Sequence, residues 1–264
     1  MDTESSFLLA HEPPPFTVLD VAPVYPALLV CDHATNLVPA RLDQLGVSGV
    51  DLTTHFALDV GAADVTRALS AIMGLPAVLS GYSRLVVDCN RHLDDSTAFA
   101  LCVEDILVPG NQGLTHADRQ ARADALYWPY HRAIRDQLTA LEAHAPAPAL
   151  IAVHSFTPML NGEPRPWDIG ILWDKDPRIP VPMLEALAGE PGIVVGDNEP
   201  YSGKHPHDFT VDYHAEEAGL PHVSIEIRQD LVASGDGAAH WAGILAEALI
   251  PILVEPDLYT HWAA

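Results

Sequence analysis

Four apolar runs in this sequence end on side chains that can do chemistry. "LLVCD" stops at His33, "RLVV" runs into Asp88, Asn90 and Arg91, "LIAV" ends at His154 and Ser155, and "HVSIEIRQD" carries Glu226 and Arg228. Two remote imidazoles suit a divalent metal such as zinc, whose catalytic sites take nitrogen and oxygen donors and leave one position open. A close-spaced partner for His33 would complete such a set. Three residues on stands Asn36, whose amide oxygen is a weaker donor than a carboxylate. Glu226 lies in an apolar strand, where a charged carboxylate is costly unless paired or metal-linked. It has two readings: an ion pair with Arg228, which shares its strand face, or a general base acting on a bound water. Arg84 and Arg91 in "SRLVVDCNR" read either as surface ion pairs or as a fork that grips a substrate carboxylate in bidentate fashion. Ser155 and Arg228 complete the substrate-binding candidates. The "HPH" of His205 to His207 and the "DYH" of Asp212 to His214 are further donors or simply solvated loop histidines.

These residues need elements that bring them together. "PALLVC", "PAVLS", "RLVVD", "APALIAVHSFTP", "WDIGILW", "GIVVG" and "HVSIEIR" all read as strands, several of them continuously apolar as in sheets covered on both faces. Helical periodicity falls between them, over "DVGAADVTRALSAIMG" with its closing glycine, over His116 to His144 with Pro129 marking a break or kink, and near Val181 to Ala188, Val211 to Gly219 and Gly237 to Leu253. The alternation predicts a three-layer α/β/α sandwich around a mixed, largely parallel central sheet. In such open sheets ligands bind beyond the carboxyl ends of the strands, so the polar strand ends are expected to converge on one crevice. The chain is expected to form a single domain over residues 1–264, with the proline-bearing residues 1–24 as an extended lead-in.

Bulk composition narrows the partners. Thirteen Lys and Arg face 36 Asp and Glu, a formal charge of −23, so nucleic acid and anionic membrane surfaces are disfavoured. An apolar share of 48% is enough to bury a core. Three cysteines form no CxxC pair and no disulfide framework, the N-terminus lacks a signal-peptide pattern, and no apolar run approaches membrane-spanning length. A cytoplasmic location is the expectation. Neither GxGxxG nor a Walker sequence is present, and Ser155 lacks the GxSxG elbow of a serine hydrolase.

Taken in order, "CDHATNLVP", "LDVGAADVTRAL", "SRLVVDCNR", "AVHSFTP" and "DYHAEEAGLPHVSIEIRQDL" resemble the N-formylglutamate amidohydrolase family, a distant relative of the zinc carboxypeptidases and succinylglutamate desuccinylases. The resemblance implies a zinc-carboxypeptidase-like fold and hydrolysis of an N-acyl amino acid such as N-formyl-L-glutamate with Zn2+ or another divalent metal. By the same resemblance His33 and His154 bind the metal with Asn36 in the third place, and Glu226 activates water. Asn90 and Arg91 hold the substrate α-carboxylate, and Arg84 holds a second carboxylate or polarises the scissile carbonyl. The turn reads His-Ala-Thr-Asn where the wider zinc clan carries a carboxylate. Two alternatives stand beside this reading: a carboxypeptidase-like peptidase on short peptides, and a metal-free, non-catalytic binding homologue.

Overall fold

The computed structural model describes residues 7–204 and 209–263. Its strands are β1 (Phe16–Leu19), β2 (Ala27–Cys31), β3 (Ala77–Ser80), β4 (Cys102–Val103), β5 (Ile106–Leu107), β6 (Ala149–Phe156), β7 (Met159–Leu160), β8 (Glu163–Pro164), β9 (Ile169–Leu172), β10 (Val195–Asp197) and β11 (His222–Arg228). Seven of them form one sheet in the order β1-β3-β2-β6-β11-β9-β10, while β4-β5 and β7-β8 are small hairpins. Pairing is parallel from β3 through β2 and β6 to β11, and again between β9 and β10. It is antiparallel where β1 meets β3 and where β9 meets β11. The sheet is therefore mixed and largely parallel, as the apolar strands lead one to expect.

Seven α-helices accompany the strands among the described residues: α1 (Ala62–Met73), α2 (His116–Arg122), α3 (Trp128–Leu141), α4 (Pro180–Ala188), α5 (Phe209–Val211), α6 (Gln229–Val232) and α7 (Gly235–Leu253). Period-two alternation along the strands divides the core. Leu29, Ile151, Val153, Val223 and Ile225 pack with Val65, Leu69, Trp241 and Leu249 from α1 and α7. Leu28, Val30, Leu150 and Ala152 pack on the other face with Tyr130, Ile134 and Leu138 from α3. Two helical layers thus cover the sheet. Gly74 closes α1 at φ +63°, a left-handed backbone that a side chain resists.

One expectation changes and two become more specific. "RLVVD" is not a strand: it turns back on itself with Val86 N–H donating to Ser83 O and Asp88 N–H to Ala98 O. Its apolar residues are buried in that turn, because the place beside β3 is taken by β1. The lead-in therefore contributes the sheet's edge strand, with Phe16 and Val18 packed on the core. Of the break or kink expected at Pro129, the structure shows an irregular turn rather than an interruption. A π-helical turn at Ala123–Tyr127 joins α2 to α3, widening the spiral just where the proline ring would press on the preceding turn.

Candidate active site

The register of three strands assembles the site. Val30 pairs with Ala152, which sets the end of β2, and so Asp32 and His33, alongside His154 on β6. Glu226 on β11 pairs with His154 directly. The chain leaving β2 then recruits a carboxylate from afar: Asp59 N–H donates to His33 O at 3.0 Å, anchoring the turn before α1 against the strand end. Asp59 Oδ2 lies 3.2 Å from His33 Nδ1 and 2.8 Å from His154 Nδ1. All three residues are buried, and their donor atoms lie within 4.8 Å of one another. Among the described residues this is the cluster that can hold a metal ion.

Each imidazole is backed by a second carboxylate. His33 Nε2 is 2.8 Å from Asp88 Oδ1. His154 Nε2 is 3.2 Å from Asp32 Oδ2, an ionic contact rather than an aligned hydrogen bond. Metal-binding histidines characteristically show their far nitrogen to a carboxylate in this way, which fixes the tautomer and raises the basicity of the near nitrogen. Asp32 is held in turn by Thr210 Oγ1, which donates at 2.6 Å. Arg84 grips Asp88 through Nε at 3.0 Å and through a second nitrogen at 2.8 Å, and approaches Asp59 at 3.6 Å.

Charge balance points the same way. Burial raises the Asp59 carboxyl, but the His33 and His154 cations and their hydrogen bonds outweigh it and hold the group below the usual carboxylate range. Burial, and for His33 the charge of Arg84, resist protonation of the two imidazoles, yet the surrounding carboxylates drive both upward. Four buried carboxylates, Asp32, Asp59, Asp88 and Glu226, thus call for positive charge beyond what Arg84 supplies. Two protons on the histidines supply most of it. One divalent cation would provide the same two charges and leave both rings neutral, as ligation requires. The donor set fits such an ion.

A cavity of about 720 Å³ opens above this cluster. His33, His154, Glu226, Arg84, Asn90, Arg91 and Ser155 all line it, so seven of the nine residues singled out from the sequence meet there. Asn36 does not. Its turn is tied by Leu37 N–H to Thr35 Oγ1, and its amide donates to Leu52 O at 2.9 Å. Asp59 supplies the carboxylate that the His-Ala-Thr-Asn turn lacks. Arg228 also points elsewhere, to Asp168 at 2.9 Å and Asp230 at 2.8 Å, because it lies at the end of β11 beyond the cavity rim. Arg228 thus spends its charge on those two aspartates. Ser155 lines the cavity, but its hydroxyl donates to Val60 O at 2.8 Å, which spends the proton on a carbonyl and leaves no serine–base couple. Cys31 is sealed in, its thiol pushed up to about 12 by burial, so it is no nucleophile either.

Two other signals resolve differently. His214 of "DYH" is buried on the α3 side, 3.0 Å from His131 Nδ1, and is not among the residues that line the cavity. His205 to His207 lie outside the described residues.

With this geometry in view, the comparison with known proteins is direct. The family model described as N-formylglutamate amidohydrolase matches residues 25–233, from the foot of β2 to the turn after α6. The chain belongs to that family. A solved gene product from Agrobacterium tumefaciens, Atu2144, shares 36% identity at a TM-score of 0.90 over 94% of this chain and 98% of its own. N-formylglutamate amidohydrolase from Ralstonia eutropha JMP134 shares 20% identity at a TM-score of 0.70 over 92% of this chain and 98% of its own, a likeness of fold. No curated protein matches. Family membership supports a hydrolase of amide bonds. Among the described residues no helix is long and apolar enough to cross a membrane.

Sequence reasoning overlooked Asp59. An aspartate just ahead of Gly61 and α1 looks like a helix cap, yet the helix start has no side-chain cap and the carboxylate turns inward instead. A hint was present, since Asp59 stands between Leu58 and Val60 in a stretch otherwise headed for the core.

Proposed function

We propose that this protein is a metal-dependent hydrolase that releases the amino acid from an N-acyl amino acid, with N-formyl-L-glutamate the first substrate to test. The observation that carries the reading is the convergence of His33, Asp59 and His154 at the base of a cavity that also presents Glu226 and two arginines. His33, Asp59 and His154 would hold Zn2+ or another divalent ion, which when bound acidifies water and polarises an amide carbonyl. Glu226, in register beside His154, takes the proton of the attacking water and returns it to the leaving amine. Asn90 and Arg91 receive the substrate α-carboxylate. Asn90 is held for this by Thr210 N–H donating to its Oδ1 at 2.9 Å, which leaves its amide N–H groups as the donors on offer. Arg84, pinned by Asp88, presents the rest of its guanidinium to the reacting carbonyl. Local cations of this kind draw in an anion that the global charge of −23 would repel.

Cavity size favours one competing reading, since about 720 Å³ with Phe56, Phe156 and Leu160 in its walls also accommodates a short peptide. Turnover of an N-formyl, N-acetyl and N-succinyl amino acid panel against dipeptides separates the two. Protein purified without chelator is expected to carry about one divalent ion per chain and to lose activity on chelation. Glu226→Gln is expected to lower kcat by about 10²- to 10⁴-fold while retaining the ion. Asp59→Ala is expected to lose the ion itself. Full activity in metal-free protein would overturn the reading.

A further inference from the structure

A row of residues crosses four strands at the floor of the cavity. His154 on β6 pairs with Glu226 on β11, Glu226 pairs with Gly170 on β9, and Gly170 pairs with Gly196 on β10. Residues in register across a sheet point to one face. The row therefore begins with two functional side chains and continues with two positions that have none.

That space is filled by backbone. A Cβ on Gly170 would stand 2.0 Å from Glu199 O, and one on Gly196 would stand 2.7 Å from the same oxygen. The Glu199–Pro200 segment thus rests on the bare end of the sheet beside Glu226. Asn198 locks it: its Oδ1 accepts from Trp173 N–H at 3.1 Å and Gly203 N–H at 2.9 Å, with its own backbone at φ +54°. A segment seated this closely and tied on both sides is built to hold its next residue in place. That residue is Tyr201, which lines the cavity.

Behind the Tyr201 ring lies Arg165, 8% exposed. Its guanidinium sits 4.8 Å from the Tyr201 ring centre and 5.7 Å from that of Phe156, and its only side-chain acceptor among the described residues is Tyr201 Oη at 2.9 Å. Among those residues it has no carboxylate partner, which is unusual for a buried arginine. Arginine can only donate, so the phenol oxygen must accept from it. The phenol's own proton is then left to donate elsewhere. Tyr201 itself is 44% exposed, and an ordinary phenol titrates at about 10, so the proton stays on oxygen at neutral pH.

We infer that Tyr201 is a further catalytic residue whose hydroxyl donates to the oxygen of the reacting amide, and that Arg165 is the positioning residue that aims it. The inference rests on the hydrolase reading for what Tyr201 touches, but not for what holds Tyr201. A single donor directed at the oxygen where charge develops changes kcat more than KM.

The test joins kinetics and crystallography. Tyr201→Phe is expected to lower kcat by about 10- to 10³-fold with KM changed less than about threefold and metal content intact. Arg165→Met is expected to lower kcat similarly, Arg165→Lys to recover part of it, and the double variant to be no worse than Tyr201→Phe alone, because both act through one hydroxyl. Additive losses, or wild-type kcat in Tyr201→Phe, would overturn the assignment. A crystal structure of Arg165→Met is expected to show the Tyr201 ring displaced, and a ring found in place would overturn the positioning role whatever the activity. If the wild-type chain cleaves nothing in the substrate panel, the hydrolase reading fails and the catalytic role of Tyr201 with it. The Arg165→Met structure then still decides who holds the tyrosine.

Discussion

At the scale of single residues, the site is a set of imidazoles sandwiched between carboxylates. Asp59 lies between both near nitrogens, while Asp88 and Asp32 stand behind the far ones. Outer partners of this kind are worth about 10- to 100-fold in metal affinity when removed. Thr210 is the accessible handle on this effect, since its hydroxyl reaches Asp32 at 2.6 Å and it is not itself a ligand. Thr210→Val keeps the shape and deletes the donor. It is expected to weaken the ion's Kd by about tenfold or more, measured by chelator competition, and an unchanged Kd would count against Asp32 as the support of His154.

At the scale of elements, parallel strands do the placing. β2, β6 and β11 run in one direction and end on the same side, so His33, His154 and Glu226 need no long loops to meet. α1 and α7 brace that layer from behind, and α7 begins at Ser234, whose hydroxyl accepts from Gly237 N–H at 3.1 Å. Ser234→Ala removes this cap. It is expected to cost about 1 kcal/mol in urea unfolding with kcat unaltered, since Ser234 is not among the residues that line the cavity. A loss of activity without a loss of stability would instead tie α7 to the site.

For the molecule as a whole, acid is the revealing stress. His131 and His214 are buried against each other at 3.0 Å, inside a cluster of Tyr127, Phe209 and Tyr213. Burial pushes His131 down to about 4 and, joined by the His131 charge, His214 down to about 3. Between the ordinary histidine value of 6.5 and about 4 the unfolded chain binds protons that the folded pair refuses, so stability falls as pH falls through this window. His33 and His154, shifted upward, have the opposite sign, and their contribution is already complete below 6.5. The depressed Asp32, Asp59 and Asp88 begin to cost stability only near and below the ordinary 3.8. Urea midpoints at pH 6.5, 5.5 and 4.5 should therefore decline, and His214→Leu should flatten the decline. A midpoint independent of pH over that range would contradict the buried neutral pair.

Much of this was legible in the residues themselves. Apolar runs bounded by helical stretches specify a covered, mostly parallel sheet, because each pattern can bury its apolar face in few ways. The apolar runs named His33, His154 and Glu226 before any fold was known, since strand ends in such sheets converge, whereas Arg84, Asn90 and Arg91 reach the cavity from a turn read as a strand. Residues in turns escaped that logic. Periodicity states which face a strand residue takes, but the direction of a side chain leaving a turn is set by distant hydrogen-bond partners. Leu52 drew Asn36 away, His33 O drew Asp59 in, and the bare surface of Gly170 seated the segment that carries Tyr201. Those partners lie far off in sequence and near only in space, so tertiary structure alone decided the third donor and the tyrosine at the cavity rim.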